Sequence, residues 1–162
     1  MNAIELLIDQ HRLLEARLKA AVDATQPQAR AALLAQIGDS LAVHIASEEE
    51  VFYPAVKARR TEDILLESLE EHLSLKRLLA DLLELPPTAP TFEAKLKVLK
   101  EQTEHHHREE EEHLFPKVLK IWDPQQLEVL GRQMMRLQQD LRDEGDPREA
   151  VTEQTDEAAR LG

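Results

Sequence analysis

His44-Ile45-Ala46-Ser47-Glu48-Glu49-Glu50-Val51-Phe52-Tyr53-Pro54 returns 62 residues later as His106-His107-Arg108-Glu109-Glu110-Glu111-Glu112-His113-Leu114-Phe115-Pro116. A second pair of stretches repeats in the same way. Gln10-His11-Arg12-Leu13-Leu14-Glu15-Ala16-Arg17-Leu18 resembles Glu71-His72-Leu73-Ser74-Leu75-Lys76-Arg77-Leu78-Leu79, at an offset of 61. The chain therefore reads as a duplicated helical hairpin whose halves pack about an approximate twofold axis, which brings matching residues together.

Working outward, four segments carry helical periodicity. The first runs from Asn2 to Ala24, with Ile4, Leu7, Ile8, Leu14 and Leu18 on one face, and Pro27 opens the next helix. The second runs from Gln28 to Ala58, with Pro54 placed to kink it. Thr61 is the expected N-cap of the third, which reaches Glu84. Leu85-Pro86-Pro87-Thr88-Ala89-Pro90 is an extended linker, because residues before Pro avoid helical backbone. The fourth helix spans Thr91 to Trp122. The predicted fold is an all-α, up-down-up-down four-helix bundle over 1–122. An additional C-terminal helix covers 123–144, with Leu127, Leu130, Met134, Leu137 and Leu141 as its stripe. It is expected either to cap the bundle or to form a homodimer contact. Residues 145–162 read as a polar, flexible tail.

Composition narrows the function. Hydrophobic residues are 42% and charged residues 32%, and the net charge is −12. So acidic a chain is a poor binder of nucleic acid or anionic membrane through bulk electrostatics. With no Cys, disulfides, thiolate zinc sites and iron–sulfur clusters are excluded. No apolar run is long enough to span a bilayer. The N-terminus lacks the pattern of a secretory signal, so a cytoplasmic location is expected.

The inward stripes carry the chemistry. Each is interrupted near its middle by a histidine: His11, His44, His72 and His106. In the second and fourth helices a Glu follows one turn later on the same face, Glu48 and Glu110. Burying isolated carboxylates is costly. Four imidazoles and two carboxylates at one depth become tolerable when metal cations sit among them. In the fourth helix only His106 lies in line with Leu96, Leu99, Glu110 and Leu114, and the repeat selects the same residue. His105, His107 and His113 are expected on the surface. Glu49, Glu50, Glu109, Glu111 and Glu112 are expected on solvated faces. Phe52, Tyr53 and Phe115 read as packing residues, with one reservation for Tyr53, since a Tyr near a metal centre can donate a hydrogen bond or a radical.

This set of motifs resembles the hemerythrin-like, HHE cation-binding domains over Met1 to Trp122. The resemblance implies a non-haem centre of two iron ions, oxo- or hydroxo-bridged, held by His11, His44, Glu48, His72, His106 and Glu110, with the two Glu bridging. It implies binding of O2, or of a related diatomic or peroxide ligand, for sensing, storage or protection. A di-iron enzyme acting on peroxide, nitric oxide or a small oxidisable substrate is the alternative. One position departs from the oxygen carriers, which have a fifth His one turn after the third-helix His. Here Lys76 stands there, with Glu15 at the matching place in the first helix. Glu15 is then either a further iron ligand or the partner of Lys76 in an ion pair. Ferritin-like di-iron bundles use Glu-x-x-His, a different order and spacing.

Overall fold

The computed structural model describes residues 1–162, and its regular structure is all helical, with no strand. The bundle comprises α1 (Ala3–Asp23), α2 (Pro27–Ser47), α3 (Glu62–Glu84) and α4 (Pro90–Glu109). Each packs on its neighbours in sequence and α1 closes the ring against α4. Asn2 caps α1 by accepting the Glu5 N–H at 2.9 Å. Pro27 and Pro90 occupy first-turn positions, where a missing N–H costs nothing. Thr61 stands at the N-cap position of α3. Its hydroxyl turns the other way, donating to the Val56 carbonyl at 2.8 Å and accepting the Ala58 N–H at 2.9 Å. It therefore braces the α2–α3 turn rather than capping the helix as expected.

The expected kink at Pro54 takes a specific form. At Glu48, α2 widens into a π turn (Glu48–Phe52) and ends in a short α segment, Tyr53–Ala55. At Glu110, α4 does the same (Glu110–Leu114), followed by Phe115–Ile121. Pro54 and Pro116 lie just beyond these turns. A proline inside a helix has no N–H to donate, and its ring collides with the carbonyl four residues back. The wider turn accommodates both defects, and such turns recur at functional sites. In both halves the π turn begins at the inward-facing Glu.

The fifth helix, α5 (Pro124–Glu144), opens with a capping box between Asp123 and Gln126. It packs along α1 and α2, placing Leu127, Leu130 and Met134 in the core. The stripe left to two roles by the sequence is thus covered within the chain. Gly131 permits the close approach of α5 to the start of α1: a Cβ there would lie 2.6 Å from the Met1 carbonyl oxygen.

Residues 145–162 differ from the loose tail expected. A short helix, α6 (Pro147–Ala150), docks on α2 through Arg148, whose guanidinium donates to both Asp39 oxygens at 3.1 and 3.0 Å. Val151 and Leu161 are buried, and Arg77 of α3 donates to the carbonyls of Thr155 and Asp156. Isolated apolar residues carry no periodicity, so the sequence pattern did not reveal these anchors.

The core divides into two apolar clusters. One holds Ile4, Leu7, Phe52, Leu65, Leu114 and Met134. The other holds Leu14, Leu18, Ile37, Leu41, Leu79 and Leu99. Between them, at mid-height, lies a layer of buried histidines and carboxylates.

Candidate metal centre

Six side chains of this layer are those selected by the inward stripes. His11, His44, Glu48, His72, His106 and Glu110 are all buried. Ligand atoms of His11, His44, Glu48 and Glu110 lie within 4.8 Å of one another, as do those of Glu48, His72 and His106. Glu48 Oε1 is 3.4 Å from His44 Nε2 and 3.2 Å from His72 Nε2. Glu110 Oε1 is 3.2 Å from His11 Nε2 and 3.4 Å from His106 Nε2. Each carboxylate therefore spans an imidazole from its own hairpin and one from the other, as the duplication requires.

The outer nitrogens are tied down by a matched set of acceptors. His44 Nδ1 meets Gln10 Oε1 at 2.9 Å and His106 Nδ1 meets Glu71 Oε1 at 2.7 Å. His11 Nδ1 meets Glu111 Oε2 at 2.8 Å and His72 Nδ1 meets Glu49 Oε2 at 2.9 Å. Gln10 and Glu71 are twins in the repeat, and so are Glu49 and Glu111. In the tautomer that donates from Nδ1 to this oxygen, each ring turns an Nε2 lone pair inward, the arrangement found around metal-bound histidines. Glu49 and Glu111, expected on solvated faces, are instead mostly enclosed and bonded to these rings. The signal was available in the repeat: the residue before each odd-helix His and the residue after each inward Glu occupy matching places.

Two further corrections concern charge. Lys76 does not pair with Glu15; its ammonium is buried and donates to Glu49 Oε1 at 2.9 Å. Glu15 accepts from Arg12 and binds His107 Nδ1 at 2.6 Å. His107, expected on the surface, is buried against His11, their rings stacked at 3.7 Å. His105 and His113 are exposed, as their register predicts. Tyr53 is fully enclosed. Its hydroxyl donates to Glu110 Oε2 at 2.6 Å and lies 3.3 Å from His72 Nε2.

The electrostatics of this layer are those of a site that wants cations. Burial and the neighbouring Glu110 push the Glu48 carboxyl well above its ordinary range. Burial acts on Glu110 in the same direction, but His106, Glu48 and His11 outweigh it and hold Glu110 well below that range. Burial drives His44 well down and also lowers His72. It takes His107 to about 4. His11 is also opposed by burial, yet Glu110 and Glu111 raise it. Burial, with Glu110 and Glu48 beside it, keeps Tyr53 protonated.

His11 Nε2, His44 Nε2, Glu48 Oε2 and Glu110 Oε1 are buried without a hydrogen-bond partner. Orphaned polar atoms in a core are rare and costly. Here they all face one another. His72 Nε2 and His106 Nε2 stand 3.1 Å apart. Two nitrogens each about 2.1 Å from one shared cation, at a right angle, would be separated by about 3 Å. Nitrogen and carboxylate donors in this number suit iron, zinc or manganese.

The fold and this layer define a histidine–carboxylate metal-binding helical bundle. The model of the hemerythrin HHE cation-binding domain matches residues 2–118, and the chain belongs to that family. Its fold is similar to the crystal structure of a hemerythrin HHE cation binding domain-containing protein from Mycobacterium kansasii. The TM-score is 0.81 at 24% identity, covering 94% of this chain and 98% of that one. The chain is also 30% identical, over 115 residues, to a DNA nickase of Nostoc sp.. The match takes in 71% of this chain and 33% of the nickase, so the chain spans about a third of that relative's length. No helix is long and apolar enough to cross a membrane.

Proposed function

We propose that this protein is a non-haem di-iron protein that binds O2, or a related diatomic or peroxide ligand, for sensing, storage or protection. The observation that carries this reading is the convergence of four imidazoles on two buried carboxylates, with His11 Nε2, His44 Nε2, Glu48 Oε2 and Glu110 Oε1 left without a hydrogen-bond partner. His11 and His44 would hold one metal, His72 and His106 the other, and Glu48 and Glu110 would bridge. A pair of irons, oxo- or hydroxo-bridged, supplies a redox-active centre where a small ligand can bind. The protein's part is to fix the rings through Gln10, Glu49, Glu71 and Glu111, and to keep water out with the apolar clusters above and below.

A catalytic reading, in which the same centre turns over peroxide, nitric oxide or a small oxidisable substrate, is favoured by Tyr53. Its protonated phenol sits 2.6 Å from Glu110, where it can deliver a proton into an otherwise sealed site. A net charge of −12 argues against nucleic acid as a partner of this chain. A cytoplasmic location belongs to the same proposal.

Metal analysis of protein purified without chelators, with an absorption spectrum, tests the centre. Two irons per chain and near-ultraviolet oxo-to-iron bands are expected. Colourless protein that cannot be reconstituted with iron would overturn it. Stoichiometric O2 or NO binding without turnover supports the sensing, storage or protection role; multiple turnovers of peroxide or NO support the enzyme.

A further inference from the structure

We propose that residues 152–160 form a movable strap over the seam between α2 and α3, and that this seam is the port through which a molecule the size of O2 or peroxide reaches the His72 side of the metal layer. The port rests on the metal-centre reading above; the strap stands on the packing of the chain alone. Val151 belongs to the apolar cluster of Leu14 and Leu79, and Leu161 to that of Leu7 and Leu65. The metal layer lies between those clusters. The chain from Thr152 to Arg160 therefore crosses the height of that layer on the outside of the bundle.

The duplication gives the bundle two matching seams, α1–α4 and α2–α3, and the chain closes them differently. α1 and α4 pack directly on each other, and Glu15 meets His107 across their seam at 2.6 Å. The matching places in the other seam hold Lys76 and Ile45, an ammonium and an apolar side chain that can form no such bond. There α2 and α3 touch far less. What bridges them is the end of the chain, with α6 lying on α2 and the Val151–Glu153 turn on α3.

Two clefts remain beneath this bridge, of about 340 and 450 Å³, and Ala46, Glu50, Lys76 and Gln154 line both. Each is far larger than the ~30 Å³ share of one water molecule, so a diatomic or peroxide has room to pass. At their base Lys76 is only 3% exposed. Its ammonium donates to Glu49 Oε1 at 2.9 Å, and Glu49 Oε2 meets His72 Nδ1 at 2.9 Å. Solvent in the clefts is thus two hydrogen bonds from a ring of the metal layer. The strap is lightly held. From Thr155 onward the chain makes no backbone–backbone hydrogen bond. Its polar hold is Arg77, which donates to the carbonyls of Thr155 and Asp156 at 2.9 and 3.1 Å. Its apolar hold is Leu161, with Ala158 and Ala159 partly buried beside it. Segments with so few buried contacts and bonds open while the rest of a domain stays folded.

The strap is tested in the full chain without metal, by the rate at which acetic anhydride acylates Lys76, read by mass spectrometry. Lys19, whose side chain is 72% exposed, is the reference in the same sample. Arg77→Gln removes both polar bonds to the strap, and Leu161→Ser weakens its apolar anchor. Each should raise the Lys76 rate about fivefold, with the Lys19 rate and the helical circular dichroism unchanged. Folded variants in which Lys76 reacts as in the parent would overturn the strap. The port is tested by stopped-flow binding of azide to the iron-loaded protein, where the same variants should raise the association rate by a similar factor. A freed Lys76 with azide association at its parent rate would overturn the port and leave the strap standing. A chain that takes up no iron would overturn the metal-centre reading and the port with it, while the acylation rates still decide the strap.

Discussion

Gln10 and Gln138 hold each other's side-chain amides: Gln10 Nε2 donates to Gln138 Oε1 at 2.7 Å, and Gln138 Nε2 donates to Gln10 Oε1 at 3.1 Å. The same Gln10 oxygen is the acceptor for His44 Nδ1. Gln138 lies on α5, beyond the residues matched to the family, and also donates to Ser47 Oγ at 2.9 Å. The added helix therefore reaches the metal centre through one amide and one imidazole.

Gln138→Ala should loosen His44 without removing a ligand. We expect iron affinity to fall about tenfold, the lower end for loss of an outer partner. Isothermal titration with Fe2+ under anaerobic conditions measures it. Unchanged affinity would show that α5 covers the bundle without tuning the centre.

The register of α4 gives a sharper comparison among adjacent histidines. His106→Ala should remove a ligand and lower iron occupancy, whereas His105→Ala, on an exposed face, should leave occupancy and melting temperature unchanged. Equal losses in both variants would mean that the helix is turned differently about its axis.

How far this arrangement could be read in advance depends on periodicity. The stripe of α4 carries Leu96, Leu99, His106 and Glu110 at helical spacing, and the duplication ties it to α2, so both the bundle and the inward six were legible. His107 was not, because it lies off the stripe and is enclosed only where α1 crosses α4 beside Glu15. Glu49 and Glu111 looked like members of an acidic run. Their partners, His72 and Lys76 for Glu49 and His11 for Glu111, stand on neighbouring helices, which the pattern of their own helix does not show. Arg148, Val151 and Leu161 hold the tail through single contacts that no pattern announces.

Lys76 offers a test of the charge arrangement. It is buried, and its partner Glu49 also accepts from His72. Lys76→Met keeps the volume but leaves Glu49 with one partner fewer. Breaking a buried pair costs about 3–5 kcal/mol. His72 remains on Glu49, so we expect roughly 2 kcal/mol from urea unfolding of the metal-free protein. Adding Glu49→Gln should recover part of this loss, giving a favourable coupling term in the double-mutant cycle. A loss below about 0.5 kcal/mol would mean that the pair behaves as a surface contact.

Glu48 predicts an opposition between stability and function that pH can expose. Burial, with Glu110 alongside, raises its folded-state pKa above the ordinary value of 4.5. Between those two values the folded protein without metal holds a proton that the unfolded chain has released. Stability contributed by this group is therefore full below pH 4.5 and is lost as pH rises toward the folded value, at up to about 1.4 kcal/mol per pH unit. Glu48→Gln removes that ionisation from both states. The metal-free variant should match its parent near pH 4.5 and exceed it increasingly toward pH 7, by on the order of 1 kcal/mol. For a chain of this size that is roughly 2–4 °C in melting temperature. His44, His72 and His107, lowered by burial, act in the opposite sense below their ordinary value of 6.5. They are present in both proteins, so the difference between the two melting curves isolates Glu48. The same substitution should weaken metal binding at least tenfold, since an amide cannot bridge two cations as a carboxylate does. A variant that is less stable than its parent at pH 7 would mean that Glu48 is ionised in the metal-free fold, with its charge already balanced by the surrounding imidazoles.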